Sequence, residues 1–316
     1  MTYLPTGQTL INTFFKSVEL NDLSGCESAL SQLRHLAKQV GSYLPWCTFF
    51  EATLIDLRDQ DWAKSEKLYV ELLAQSIDLS LRGRTLLALG LALEMQARWQ
   101  DAIDAFEKSL PIFIQLNQPH NQAKAWRNIA SVYEGGYSHG DFGQGSLRYA
   151  EDCCHKSLAI LQQYPDDWIE AITLEVLGLL YKLLQRWADA ITCHQRSLQI
   201  AQQNRDDQFG RGVAHGNLGE IYQIQTWPDY AAAEAHYRQA LTIFQQFGSL
   251  LDQAEVLTNL ATLYHQQGAP VKAFDHYAQA IELIEALRSG ISSEMGRAGY
   301  FATVANTYAN AVLLCL

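Results

Sequence analysis

A short apolar phrase recurs five times along the chain at nearly constant spacing. Each copy pairs a small residue with an aliphatic one, and the aliphatic residue falls at positions 110, 158, 198, 241 and 281, with steps of 48, 40, 43 and 40 residues. A period of about 20 to 50 residues is typical of solenoids, in which each unit buries its apolar face only against its neighbours. The copies are Ser109-Leu110, Ser157-Leu158, Ser197-Leu198, Ala240-Leu241 and Ala280-Ile281.

Two further features recur in step with this phrase. Spacings of three and four residues place side chains on one face of a helix, so each repeat is predicted to form two antiparallel helices. An aliphatic residue followed by Gly or Ala, which lets a neighbouring helix approach closely, occurs at Leu89-Gly90, Ile129-Ala130, Leu177-Gly178, Leu218-Gly219 and Leu260-Ala261. An Ala that precedes a larger residue by four positions occurs before Phe106, Cys154, His194, Tyr237 and Tyr277.

Together these positions resemble the consensus of the tetratricopeptide repeat (TPR), with long repeats of the kind found in kinesin light chain. The resemblance is strong over residues 85–285 and weaker over two N-terminal units, marked by Asp61-Trp62 and by Asp22-Leu23. It implies an all-α, right-handed superhelical solenoid of about seven TPR helix pairs plus a C-terminal capping helix, six pairs being the alternative. We expect the solenoid over 1–290, with clear repeats over 82–290 and degenerate ones over 1–81, and a terminal or junction helix over 291–316.

Two segments depart from the repeat. The insertion 134–146 contains five glycines, but no strand precedes it and no Lys-Ser/Thr pair follows, so a flexible connector is favoured over a phosphate-binding loop. The stretch 293–301 resembles the junction helix that precedes CHAT protease domains in bacterial TPR proteins. The chain then ends on an apolar helix, 301–316, for which we expect either packing on the last repeat or contact with another domain or subunit.

The composition disfavours several classes of function. The 23 Lys and Arg residues are outnumbered by 34 Asp and Glu residues, for a net charge of −11, whereas nucleic acids and anionic membranes select basic surfaces. No apolar run approaches the roughly 18 residues that a membrane-spanning helix needs. The six cysteines are scattered without a C-x-x-C pair, so buried free thiols are favoured over disulfides or zinc ligands. We expect a cytoplasmic protein without a cofactor or bound metal.

No set of residues has the spacing of a catalytic site. Cys193 and His194 are adjacent, but His194 occupies the large-residue position of its repeat, so packing is favoured over a Cys/His nucleophile. Paired aspartates at 166–167 and 206–207 are interpreted as helix starts, where carboxylates meet free N–H groups. We therefore predict that the protein is not an enzyme.

The resemblance to TPR proteins also implies a binding surface. In TPR solenoids the first helices line a concave groove, and the positions around Leu-Gly face the ligand. An Asn amide is both donor and acceptor, so asparagines there could bind the backbone of an extended peptide; hydrogen bonds to a neighbouring helix or to water are the alternative. Arg84, Lys124 and Arg127 form a predicted basic stretch, which favours an acidic segment of the ligand. The predicted groove residues are Arg84, Lys124, Arg127, Asn128, Asn217, Glu220, Gln223, Asn259, Thr262 and His265.

These observations predict a non-catalytic scaffold that binds a peptide or protein segment in the groove, without nucleic acid or membrane as a partner. The alternatives are the regulatory region of a larger CHAT-type protease and a peptide-sensing signalling protein. A small-molecule or nucleotide-handling enzyme is the least favoured, because no motif for one is present.

Overall fold

The computed structural model describes residues 6–19, 22–204 and 207–290, together with Thr307. These residues contain fourteen α-helices and no strand, and no helix among them is long and apolar enough to cross a membrane. The chain divides into two compact units, Met1–Ile160 and Leu161–Leu316. The predicted terminal helix over 291–316 lies outside the described residues, apart from Thr307.

The helices follow one another in pairs, which confirms the all-α class and the helix pairs predicted from the repeat. We call the first member of each pair the first helix and the other the second helix. The first unit contains α1 (Gly7–Glu19) with α2 (Leu23–Ala37), α3 (Leu44–Leu54) with α4 (Trp62–Leu73), α5 (Leu79–Glu94) with α6 (Trp99–Gln115), and α7 (Pro119–Ser138) with α8 (Gly145–Gln163), which continues past Ile160. The second unit contains α9 (Asp167–Leu183) with α10 (Trp187–Gln203), α11 (Gln208–Ile224) with α12 (Tyr230–Phe247), and α13 (Leu250–Gln266) with α14 (Pro270–Gly290).

Aspartates cap many of these helices. The carboxylate of each one accepts a hydrogen bond from the backbone N–H three residues later, which satisfies a donor that the first helical turn leaves free. The interpretation of 166–167 and 206–207 as helix starts is confirmed at Asp166 and Asp207, while Asp206 lies outside the described residues. The capping aspartates are Asp22, Asp61, Asp78, Asp166, Asp207 and Asp229.

In three pairs the glycine of the first helix lies directly against the large residue of the second helix: Gly90 with Phe106, Gly178 with His194 and Gly219 with Tyr237. A Cβ atom placed on Gly90 would come within 2.4 Å of the ring of Phe106, which is fully buried. The same placement on Gly219 would meet the ring of Tyr237 at 2.7 Å. Since carbon atoms in contact lie about 3.5–4.0 Å apart, only a residue without a side chain fits at these crossings.

Tyr69, four residues after the small residue Ser65, takes the position of the large residue in α4. In four pairs the large residue makes a polar contact with its own first helix or with the turn that ends it. The Tyr69 hydroxyl donates to the Asp56 carboxylate at 2.7 Å, and the Tyr237 hydroxyl donates to Gln223 at 2.8 Å. Asp56 lies in a π-helical turn, Ile55–Asp59, that follows α3. The other two contacts are Tyr277 with Thr262 at 3.0 Å and His194 with Glu175 at 2.7 Å.

The glycine-rich insertion connects α7 to α8, and its residues make defined contacts there. Helix α7 continues through its first part to Ser138, and Gly140 then turns the chain with a φ of 84°. The Phe142 ring packs on Tyr133, with ring centroids 5.2 Å apart, and Trp99 Nε1 donates to Asp141 at 2.7 Å. These contacts fix the corner between α7 and α8 to the preceding pair.

The cysteines of the described residues are free and buried, as predicted. This applies to five of the six, because Cys315 lies outside the described residues. Within the described part of the chain, no group of three or more His, Cys, Asp or Glu side chains could hold a metal ion.

Candidate functional site

In the first unit, Arg127 covers Asn128. The Nε and Nη2 atoms of Arg127 donate to Asn128 Oδ1 at 3.0 and 2.6 Å. Asn128 is 4% exposed, whereas Arg127 is half-buried. Of these two predicted groove residues, Arg127 is the more exposed, although burial lowers the pKa of its guanidinium.

Glu94 is a polar residue of the same surface that the sequence analysis did not select. It ends α5, and its Oε1 accepts a hydrogen bond from the Ser131 hydroxyl on α7 at 2.7 Å. Burial raises the pKa of Glu94 to about 7, against the opposing effects of the Ser131 hydrogen bond and the Arg127 charge. Glu94 lies five residues after Leu89, as Gln223 lies five residues after Leu218, and this spacing could have identified it.

The other two cations of the predicted basic stretch are also half-buried. Arg84 Cζ lies 4.1 Å from the centroid of the Phe15 ring, a distance typical of a cation–π contact. This contact joins α5 to α1, so Arg84 contributes to packing within the first unit. Lys124 lies on α7, one turn before Arg127 and Asn128.

In the second unit, Glu175 joins three helices. Its Oε2 atom lies 2.6 Å from Asn217 Nδ2 on α11 and 2.7 Å from His194 Nδ1 on α10. A carboxylate only accepts hydrogen bonds, so both nitrogens donate to it. His194 is fully buried, whereas Asn217 is half-buried. The predicted groove residue Asn217 is thus held in a fixed orientation by Glu175.

Two other predicted residues of α11 have partners on neighbouring helices. Glu220 accepts from Lys182 on α9 at 2.8 Å, an ion pair whose side chains are 35% and 18% exposed respectively. Gln223 is 5% exposed and donates to Gln266 at 3.0 Å, while it accepts from Tyr237. Gln223 is consequently part of the contact between pairs, and Glu220 is the member that remains half-exposed.

The three predicted residues of α13 differ in how many hydrogen bonds they make. The Thr262 hydroxyl bonds to the Thr258 carbonyl at 2.9 Å and to Tyr277 at 3.0 Å. Asn259 is half-buried and has no hydrogen bond to any residue of the described ranges. His265 is exposed in the last turn of the helix. Of the three predicted residues on this helix, Asn259 and His265 are therefore the ones with open polar groups.

The repeat identifies the family of the chain. The family model described as "Tetratricopeptide repeat" matches residues 121–203, 169–246 and 211–286, which together cover more than half of the chain. The chain belongs to the tetratricopeptide repeat family. This confirms the resemblance stated above.

Solved structures show the same fold at low sequence identity. A Rap protein complexed with Competence and Sporulation Factor is similar with a TM-score of 0.70 and 14% identity, over 96% of this chain and 88% of that chain. The apo form of the quorum sensor NprR from B. thuringiensis has a TM-score of 0.66 and 13% identity, over 96% of this chain and 81% of that one. These similarities establish the arrangement of helices and not the ligand of this TPR protein.

A curated relative covers a smaller part of the chain. The 43 kDa receptor-associated protein of the synapse from Tetronarce californica is 23% identical over 215 residues, which are 66% of this chain and 49% of the relative. The TPR chain spans about half the length of this curated relative.

Proposed function

We propose that the protein is a non-catalytic scaffold that binds a peptide or protein segment on the polar face of its first helices. The observation that carries the proposal is the contact between Glu175 and Asn217, at 2.6 Å. It holds a half-exposed amide in one orientation, and groups fixed before binding lose less conformational entropy when a ligand arrives. An unoriented surface amide has no such advantage.

Two similar proteins were crystallised with peptides or factors bound. The Rap structure contains Competence and Sporulation Factor, and an NprR structure contains its cognate peptide NprX, with a TM-score of 0.62 to this chain. These ligands are those of the Rap and NprR proteins. For the present chain they support peptides as the ligand class and favour a peptide-sensing regulator as the second candidate. A cytoplasmic location is part of the proposal.

The ten predicted groove residues have different parts in this proposal. In the first unit, Arg84, Lys124 and Arg127 favour an acidic segment of the ligand. In the second unit, Asn217, Asn259 and the residues around them bind the ligand backbone. Asn128 and Gln223 support their neighbours from beneath. The full set remains Arg84, Lys124, Arg127, Asn128, Asn217, Glu220, Gln223, Asn259, Thr262 and His265.

The proposal also includes the domain organisation expected from the sequence, with the solenoid over 1–290 and a capping or junction helix over 291–316. Thr307 Oγ1 lies 3.0 Å from Thr258 Oγ1 on α13. This contact supports packing of the terminal segment on the last pair. Association of the chain through 301–316 remains a proposal as well.

A displayed library of random peptides, panned on the full chain, tests the proposal. Asn259→Ala should weaken the selected peptides about three- to ten-fold, the effect of one hydrogen bond, without changing the urea midpoint. Asn217→Ala should weaken binding and also lower the midpoint, because Glu175 loses a donor. The double variant Gln202→Ala, Gln203→Ala removes two exposed amides from α10 and should bind as the parent does.

The proposal is wrong if no peptide is enriched. It is equally wrong if the enriched peptides bind both asparagine variants as tightly as they bind the parent and the α10 control.

A further inference from the structure

We propose that Glu175, supported by His194, is a positioning residue that fixes the Asn217 amide with its carbonyl oxygen toward the ligand. At this point the second unit then accepts a hydrogen bond from a backbone N–H of the peptide. The inference rests on the proposed function, since it specifies the chemistry of the same surface.

The orientation of the amide follows from the chemistry of its partner. Asn217 Nδ2 lies 2.6 Å from Glu175 Oε2, and a carboxylate has no proton to donate. A turn of the amide by 180° would bring two acceptor oxygens together. The Oδ1 atom therefore points away from Glu175, and it has no hydrogen-bond partner within 6–19, 22–204 and 207–290. A half-exposed acceptor remains available.

His194 holds Glu175 in place. The His194 side chain is 0% exposed, its Nδ1 lies 2.7 Å from the same carboxylate oxygen, and the Glu175 side chain is 13% exposed. A Cβ on Gly178 would lie 2.4 Å from His194 Nε2, so the imidazole has little room to move. Both Glu175 and Asn217 are thus fixed from the buried side.

This arrangement leaves buried polar atoms without hydrogen-bond partners. That destabilises the fold, so a role in packing does not by itself explain the two residues. Glu175 Oε1 and His194 Nε2 are buried, and neither has a hydrogen-bond partner among the described residues. A buried polar atom without a partner costs about 1–3 kcal/mol. The positions two residues before the aliphatic-small phrase in α11 and α13 are Gly216 and Thr258, so the fold of a pair does not require a carboxylate there.

The corresponding residue of the first unit has the opposite chemistry. Arg127 lies two residues before Ile129, as Glu175 lies two residues before Leu177. Arg127 only donates, and it occupies the oxygen of Asn128 with two hydrogen bonds. The more exposed residue there, Arg127, carries side-chain donors only, which suit a carbonyl or carboxylate of the ligand. At the same repeat position, the first unit therefore has a residue that offers hydrogen-bond donors, Arg127. The second unit has Glu175, which turns the acceptor oxygen of Asn217 toward the ligand.

An ester scan of a selected peptide tests the direction of the hydrogen bond. Each backbone amide in turn is replaced by an ester, which exchanges the N–H donor for an oxygen. One replacement should weaken binding to the full parent chain about three- to ten-fold. The same replacement should have no further effect on Asn217→Ala, because the acceptor is already absent.

Substitutions at Glu175 test the positioning role. Glu175→Leu removes the acceptor that orients Asn217, so affinity should fall about three- to ten-fold and the sensitive ester position should disappear. Glu175→Gln retains an acceptor oxygen and should restore both. Glu170→Gln, on the same helix, breaks only the pair with Arg196 at 3.3 Å and should bind as the parent does. A purely structural Glu175 would alter the urea midpoint without altering the pattern of the ester scan.

The outcomes separate the two proposals. If Asn217→Ala weakens the peptide but no ester position depends on Asn217, the inference is overturned and the scaffold function stands. Parent-like affinity and ester pattern in Glu175→Leu would also overturn it. If selected peptides bind independently of both Asn217 and Asn259, the proposed function itself fails.

Discussion

Two glycines of α11, three residues apart, should respond in opposite directions to the same substitution. A Cβ on Gly216 would meet no atom within 4 Å, whereas a Cβ on Gly219 would lie 2.7 and 2.8 Å from two ring carbons of Tyr237. Both residues are inside the helix. Replacing either one by Ala should stabilise the helix by about 0.5–1 kcal/mol, because the unfolded chain loses conformational freedom.

The steric term distinguishes the two variants. Tyr237 is fully buried, and its hydroxyl is held by Gln223 at 2.8 Å, so the ring cannot move aside without losing that hydrogen bond. Overpacking of this kind costs about 1–3 kcal/mol. Since the helix term is common to both variants, Gly219→Ala should be less stable than Gly216→Ala by about 1–3 kcal/mol. Gly216→Ala should be more stable than the parent.

Urea unfolding of the full chain, followed by circular dichroism and by fluorescence, measures both differences. The comparison needs only the midpoints and slopes of the three proteins under one set of conditions. Equal changes in the two variants, or a Gly219→Ala protein more stable than the parent, would refute the packing argument.

Three further predictions concern titrating groups. Burial, the His236 ring and Arg211 lower the pKa of His215 to about 4. The neutral imidazole therefore adds stability above about pH 6.5, and this stability is lost as the pH falls. In His215→Phe, the urea midpoint should change less between pH 7 and pH 5 than it does in the parent. Burial raises the pKa of Asp56 to about 6 despite hydrogen bonds from Ser65 and Tyr69. The protonated carboxyl therefore contributes its full stability below about pH 4, and this stability is lost as the pH rises through 6. Asp56→Asn should raise the urea midpoint at pH 8 and not at pH 4. Burial raises the pKa of Cys26 and Cys153 to about 11 and that of Cys193 to about 12. A thiol reagent at pH 8 should therefore label these residues only as fast as the protein unfolds. Rapid labelling of any of them, detected by mass spectrometry, would contradict this.

The repeat was sufficient to predict the helices and their pairing. The small and the large residue that pack together lie within about 20 residues of each other in the chain. The contacts of Gly90 with Phe106 and of Gly219 with Tyr237 can therefore be predicted from the repeat. Glycine content alone does not reveal the contacts of the glycine-rich insertion, such as the packing of Phe142 on Tyr133.

The site was predicted less completely than the fold. The period identifies the face on which Asn128 and Gln223 lie, but not whether another side chain covers them. Asn128 is covered by its own neighbour, Arg127, and Gln223 is enclosed by partners 14 and 43 residues away. Glu175 was missed because its role depends on Asn217, 42 residues further along the chain. Such pairings depend on how adjacent repeats stack, which spacing within one repeat does not determine.

The polar contacts of the large residues determine which parts of the chain could be exchanged between repeats. Tyr69, His194, Tyr237 and Tyr277 each find a partner on their own first helix or the turn that ends it. A second helix moved alone into another repeat would bring a hydroxyl or imidazole to a site that lacks its acceptor. Each such group left without a partner would cost about 1–3 kcal/mol, so duplication or recombination of this gene destabilises the product least when both helices of a pair move together.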